Sequence, residues 1–272
     1  MGKQTIPVSG NISSDIVAKA NIMFGDVYDS ALRKWEGKKV SSYGDSIVAG
    51  NTWQPTVMSL LGITSHYLRG VGSSRIADTN YSAEYVEKMT FYANSDGSYN
   101  NRPTRFGGTV DVAPEGTTEI FANLVTQNRI DTIPLDTELL IILGGANDAG
   151  TVAIGTIGDA ENETETFYGA YKLMLNRINT RVPSAKIAIL GMPFHKTADS
   201  ITTLTGNYQL FRDAIKEISY VYGYPYVDLR EKCGWNTLNA STFLQDNVHP
   251  NATGGKRIGA VIAQELLKMI PI

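Results

Sequence analysis

A serine at one strand end, an asparagine at another and an Asp-x-x-His turn are the residues of this chain best placed to do chemistry. Ser46 closes Lys39-Val40-Ser41-Ser42-Tyr43-Gly44-Asp45-Ser46-Ile47, which reads as a strand broken at a Gly-Asp-Ser turn. A turn at the carboxyl end of a strand lifts the serine hydroxyl out of the sheet, where a substrate can meet it. A serine hydroxyl is a poor nucleophile by itself and needs a base held by a third group. Asp246 and His249, three residues apart before the last helix, have the spacing to be that group and that base. Asn147, in Gly144-Gly145-Ala146-Asn147-Asp148, offers an amide donor just past an apolar strand. Gly70-Val71-Gly72-Ser73-Ser74 follows another strand and can aim backbone N–H groups at an anion. Each piece has a plainer reading alone: a tight connection, a turn-forming Asn-Asp, a solvated histidine. Their occurrence together, each at a strand end or before a helix, is what carries weight.

Composition narrows the alternatives. The chain has 272 residues, 42% of them apolar, enough for one large α/β domain with extensions. A net charge of -3 without a Lys/Arg run argues against nucleic acid or an anionic membrane as partner. The longest apolar runs fall short of a membrane span. No apolar stretch follows Met1-Gly2-Lys3-Gln4-Thr5-Ile6-Pro7, so no signal peptide is expected, which fits cytoplasm and phage particle alike. The single cysteine, Cys233, excludes an internal disulfide and reads as a small buried hydrophobe. Three histidines, His66, His195 and His249, leave no HExxH pair, and no phosphate loop, GxGxxG or GxSxG motif is present. No metal or cofactor is expected.

The elements that must position these residues follow in order. A helix is expected from Ser13-Ser14-Asp15 to about Trp35, for attachment or for packing, preceded by a loose arm. Trp53 to Leu61 reads as a helix stopped by Gly62, and Ser65 to Arg69 as a strand. Residues 78–116 are too long for a plain connection and read as an inserted loop or hairpin pair. Their Tyr81, Tyr85, Tyr92, Tyr99, Phe91 and Phe106 suit a sugar or ordinary hairpin packing equally. Thr117 and Thr118 are expected to open a helix running to about Arg129. Glu138 to Leu143 is a continuous apolar run, as in a strand buried on both faces of a parallel sheet. Helices over 166–181, 207–222 and 253–269, with strands over 186–190 and 226–229, complete a strand–helix alternation. That alternation predicts a doubly wound parallel sheet.

With these motifs in this order, the chain resembles the SGNH (GDSL-like) hydrolase family over residues 38–270. Gly44-Asp45-Ser46, Gly145-Ala146-Asn147-Asp148 and Asp246-Asn247-Val248-His249-Pro250 match three family blocks. The second block departs: Ser73 stands where members often have a second glycine. The resemblance implies a flavodoxin-like α/β/α fold with a five-stranded parallel sheet, formed by residues 38–272, with residues 1–37 outside it. It implies Ser46 as nucleophile, His249 as base, and Asp246 orienting His249. The implied oxyanion hole is the Ser46 N–H, a backbone N–H at Gly72 or Ser73, and the Asn147 side chain. The expected activity is hydrolysis of short acyl esters, acetyl above all, on a carbohydrate. The alternatives are a lipid-ester or thioester hydrolase, and an inactive glycan-binding or structural virion module. The insertion and lead-in helix suit a phage tail or cell-surface esterase, either as a homo-oligomer or in a larger assembly.

Overall fold

The computed structural model describes residues 33–77, 90–97, 115–199 and 206–269. The expected arm and all but the end of the first helix lie outside these residues, as does most of the insertion. Arg33–Trp35 form a single 3-10 turn.

Five strands make one parallel sheet: β1 (Lys39–Gly44), β2 (Ser65–Gly70), β5 (Leu139–Leu143), β6 (Lys186–Leu190) and β7 (Tyr226–Val227). Their order is β2-β1-β5-β6-β7, so the chain reverses direction of winding between β1 and β5. That crevice is the switch point at which doubly wound sheets bind ligands. The expected flavodoxin-like three-layer fold is what the chain adopts.

The run Leu139-Leu140-Ile141-Ile142-Leu143 shows how the layers divide. Every residue in it is buried, as expected for a strand covered on both sides. Leu139, Ile141 and Leu143 share one core with Val40, Ala188 and Leu190, under α2 (Gln54–Leu61) and α8 (Ala252–Lys268). Leu140 and Ile142 point the other way, into a second core with Tyr43, Ile187 and Ile189, under α4 (Phe167–Arg181) and α5 (Gly206–Val221). The alternation is the pleat of the strand.

The helices start where their capping chemistry permits. The Thr166 hydroxyl accepts the Gly169 amide and opens α4, and Asn251 accepts the Gly254 amide and opens α8. Gly62 ends α2 in the left-handed region, with φ 66°. Polar residues inside β1 are satisfied in pairs. Ser41 Oγ meets Thr137 Oγ1 at 2.8 Å, and Ser42 Oγ meets His66 Nε2 at 2.7 Å. Burial pushes the His66 ring down to about 4, so it is neutral and structural.

Two expectations are corrected. Thr117–Phe121 is a strand, β4, paired antiparallel with β3 (Thr90–Asn94), and not the start of a helix. The β-branched Thr117, Thr118 and Ile120 suit a pleated hairpin, and pairing decides where a capping threonine and a strand threonine look alike. The helix there is only α3, Gln127–Ile130. The last strand is shorter than expected. It ends at Val227 because the Asp228 side chain accepts the Glu231 amide and starts α6, Leu229–Lys232. A further turn of helix, α7 (Ala240–Phe243), precedes the Asp246 turn.

Candidate active site

Ser46 begins α1 (Ser46–Ala49), directly off the end of β1. Asp45 is the N-cap, its Oδ1 accepting the Ile47 amide at 2.9 Å. Two glycines make room for this sharp turn. A Cβ on Gly44 would lie 1.9 Å from Leu143 O, and one on Gly70 would lie 2.2 Å from Ala49 N. The free carbonyls of so short a helix are met from α2 and its cap. Trp53 Nε1 donates to Ile47 O at 3.2 Å and Gln54 Nε2 to Val48 O at 2.8 Å.

The Asp246 turn comes to this serine from 203 positions away. Asp246 Oδ1 accepts the amides of Val248 and His249 at 2.8 and 2.7 Å, which builds the turn. Its Oδ2 lies 2.7 Å from His249 Nδ1. A carboxylate can only accept, so Nδ1 carries the proton and Nε2 is left as an acceptor. Ser46 Oγ lies 2.8 Å from that Nε2 and donates to it. Partial burial works against the charge on Asp246. The His249 and Val248 amides and the His249 ring outweigh it and hold the carboxyl below its usual value.

Besides the Ser46 amide, the donors expected for an oxyanion lie on the segments that follow β5 and β2. Asn147 Nδ2 donates to Ser74 O at 2.9 Å, which fixes the amide and leaves its second N–H free to point elsewhere. The Ser46 and Gly72 amides have no backbone acceptor among the described residues. Ser73 has φ 60°, the left-handed region. The place where family members often carry a second glycine is thus a place whose backbone favours one.

Two buried residues that sequence reasoning gave no role support this frame. Asp148 is fully buried and accepts the Ile76 amide at 3.1 and 2.9 Å and the Ala77 amide at 3.0 Å. It ties the turn after β5 to the segment after β2. Arg129, also fully buried, lies 4.7 Å over the Tyr43 ring and donates to Arg69 O at 2.5 Å, binding the ends of β1 and β2. Asp148 had a signal, its place in Gly-x-Asn-Asp; Arg129 had none. Burial drives Asp45 up to about 6 and Asp148 up to about 7, and the Asp45 charge adds to the cost of charging Asp148. Asp45 Oδ2 has no hydrogen-bond partner among the described residues.

The histidines divide cleanly. His249 joins the serine, His66 is sealed against Ser42, and His195 lies on the loop after β6. Among the described residues no group of three His, Cys, Asp or Glu side chains could hold a metal ion. No described helix is long and apolar enough to cross a membrane.

A Ser–His–Asp row at the carboxyl edge of a five-stranded parallel sheet has the geometry that serine hydrolases use. The sequence pattern of the GDSL-like lipase/acylhydrolase family matches residues 42–257, and the chain belongs to that family. It is a hydrolase of esters. A comparison with curated proteins found no match. Among solved structures, a protein from Lactobacillus plantarum is similar, with TM-score 0.60 and 20% identity over 86% of this chain and 97% of that one. A possible lipase from Chitinophaga pinensis has TM-score 0.55 and 15% identity over 85% and 98% of the two chains. The lipase/acylhydrolase from Enterococcus faecalis has TM-score 0.52 and 13% identity over 85% and 96%. At these identities the likeness is one of fold.

Proposed function

We propose that the protein is a serine esterase that removes short acyl groups, acetyl above all, from a carbohydrate through an acyl-enzyme on Ser46. The 2.8 Å contact between Ser46 Oγ and His249 Nε2, in line with Asp246, carries this assignment. His249 takes the Ser46 proton as Oγ attacks the ester carbonyl, then gives it to the leaving alcohol. Asp246 keeps the ring in the accepting tautomer and stabilises the imidazolium. The oxyanion is met by the Ser46 N–H, the Asn147 amide and a backbone N–H after β2. Gly72 is the donor assigned there, and its amide has no backbone acceptor among the described residues. Water, activated by His249, then attacks the acyl-enzyme and frees the acid.

The carbohydrate is argued from where the insertion is anchored. Val71, beside Gly72, shares a small core with Phe91, Ala93, Ile120 and Ala122 of the β3–β4 hairpin. The tyrosine-rich insertion is thus rooted next to the oxyanion donors. Tyr81, Tyr85, Tyr99 and Phe106 lie outside the described residues.

The test is hydrolysis of p-nitrophenyl acetate, butyrate and octanoate by the parent and by Ser46→Ala. Activity greatest on acetate and absent from the variant is expected. A maximum on octanoate would move the assignment to lipid esters. No activity above the variant, in folded protein, would leave a binding module.

A further inference from the structure

The loop after β6 reaches the catalytic turn, yet nothing in it serves the reaction above. Gly191-Met192-Pro193-Phe194-His195 leave the carboxyl end of β6. The next amide, that of Lys196, donates to Asn247 O at 2.7 Å, inside the Asp246–His249 turn. His195 is therefore held beside the segment that carries the base. Tyr208, in the first turn of α5, faces it, with ring centroids 5.1 Å apart and planes inclined by 56°. The charge of Asp246 bears on His195, and that of Asp45, next to the nucleophile, bears on Tyr208.

Each of the two rings has one polar atom to spare. His195 Nδ1 accepts the Ala198 amide at 3.0 Å. Burial, helped by Arg212 and opposed by Asp199, lowers its pKa, so the ring is neutral with its proton on Nε2. That N–H donates to nothing among the described residues. Tyr208 is 5% exposed, and its hydroxyl has no partner among them either. Neither atom is sealed from solvent, so a ligand can reach both.

The chemistry of the surroundings selects the ligand. Arg212 lies 4.7 Å over the Tyr208 ring, but its charge is already taken. Nη1 and Nη2 each reach Asp199 at 2.6 Å, and Nε and Nη2 donate to Met192 O and Pro193 O at 3.0 and 2.7 Å. An anionic group would meet two neutral donors in the field of Asp45, Asp199 and Asp246. A neutral hydroxyl, which can both donate and accept, suits the pair.

We propose that His195 Nε2–H and the Tyr208 hydroxyl form a subsite for the hydroxyl-bearing alcohol portion of the ester, such as a sugar ring next to the acylated oxygen. The subsite rests on the esterase activity assigned to Ser46 and narrows its substrate.

Tyr208→Phe removes the hydroxyl and keeps the ring against His195 and Arg212. His195→Asn can keep an acceptor for the Ala198 amide while losing the Nε2 donor. The measurement is kcat and KM on a mono-O-acetylated methyl glucoside and on p-nitrophenyl acetate. Each variant is expected to raise KM for the sugar acetate, and to lower the preference for it over the nitrophenyl ester by roughly 5–10-fold, the worth of one hydrogen bond. Equal proportional losses on the two esters, or an unchanged preference, would overturn the subsite. Calorimetric binding of the same glucoside to Ser46→Ala protein, with and without Tyr208→Phe, separates the two assignments. Weaker binding without the hydroxyl supports the subsite even if the parent turns nothing over, which would sink Ser46 alone. Equal affinity overturns it whatever the turnover.

Discussion

Asp148 holds the Ile76 amide with both of its carboxylate oxygens, at 3.1 and 2.9 Å. The two residues are 72 positions apart, on the segments that follow β5 and β2. One buried carboxyl thereby joins the two segments that carry the expected oxyanion donors. In Asp148→Asn an N–H₂ would face amides that need an acceptor, and one bond to Ile76 or Ala77 would be lost. A stability loss of about 1–3 kcal/mol is expected from thermal or urea unfolding. kcat should fall more than KM rises, because the loop shapes the transition-state site. A fall confined to stability would show that the loop holds itself.

Asp45 and Asp148 also set a pH dependence. Burial raises their folded pKa values to about 6 and about 7, above the unfolded value of 3.8. Between about 4 and about 7 the folded chain keeps protons that the unfolded chain has released. Stability therefore falls as pH rises through this window. The contribution is full below about 4 and lost above the folded values. His66, lowered from 6.5 to about 4, opposes them between those values, but the two aspartates together outweigh it, so the melting temperature should be higher at pH 5 than at pH 8. Asp45→Asn keeps an acceptor for the Ile47 amide and removes the charge, so it should flatten that slope. Stability that rises across the window in the parent would contradict the assignment.

Asp246→Asn leaves an oxygen for the Val248 and His249 amides but puts an N–H₂ opposite His249 Nδ1. The ring is then favoured in the tautomer that cannot accept from Ser46. A loss in kcat of about 10²–10⁴-fold is expected, with little change in KM. Steady-state kinetics on p-nitrophenyl acetate would read it. Near-parental kcat would remove Asp246 from the mechanism.

Asn147→Ala deletes a donor that Ser74 O holds in place. Its kcat should drop by about 10²–10³-fold, the usual cost of one oxyanion donor. The variant should still fold, since Asn147 is only half-buried and Asp148 keeps the loop. Burst kinetics, which count acylated Ser46, would show whether acylation is the step affected.

Gly44→Ala and Ser73→Gly should move stability in opposite directions. The new methyl in the first lies 1.9 Å from Leu143 O and 2.6 Å from Val48 Cγ2, between two strands that cannot part without breaking their ladder. A loss of about 1–3 kcal/mol or more is expected in chemical denaturation. Ser73→Gly relieves a left-handed backbone that costs a non-glycine residue about 1–2 kcal/mol, part of which the freer unfolded chain takes back. A destabilised Ser73→Gly would mean that the serine side chain contributes more than its backbone costs.

What the sequence by itself determined is local. The Gly44-Asp45-Ser46 break, the Asp246–His249 turn, the Thr166 and Asn251 caps and the doubly buried run of β5 all depend on neighbours within a few positions. Capping, turn and pleat chemistry act at that range, so residue order alone is enough. Locality also explains the misreading at Thr117, where threonine serves a helix cap and a strand equally well and only the partner strand at Thr90–Asn94 decides. The tertiary structure alone decided which local pieces meet. Sheet order put β1 between β2 and β5, and so brought Ser46 to within 2.8 Å of a histidine 203 positions away. It buried Asp148 against the Ile76 amide and seated Arg129 over Tyr43. It also brought His195 against Tyr208 beside the catalytic turn. These contacts depend on the packing of two cores across one sheet, and no periodicity along the chain encodes which strand lies beside which.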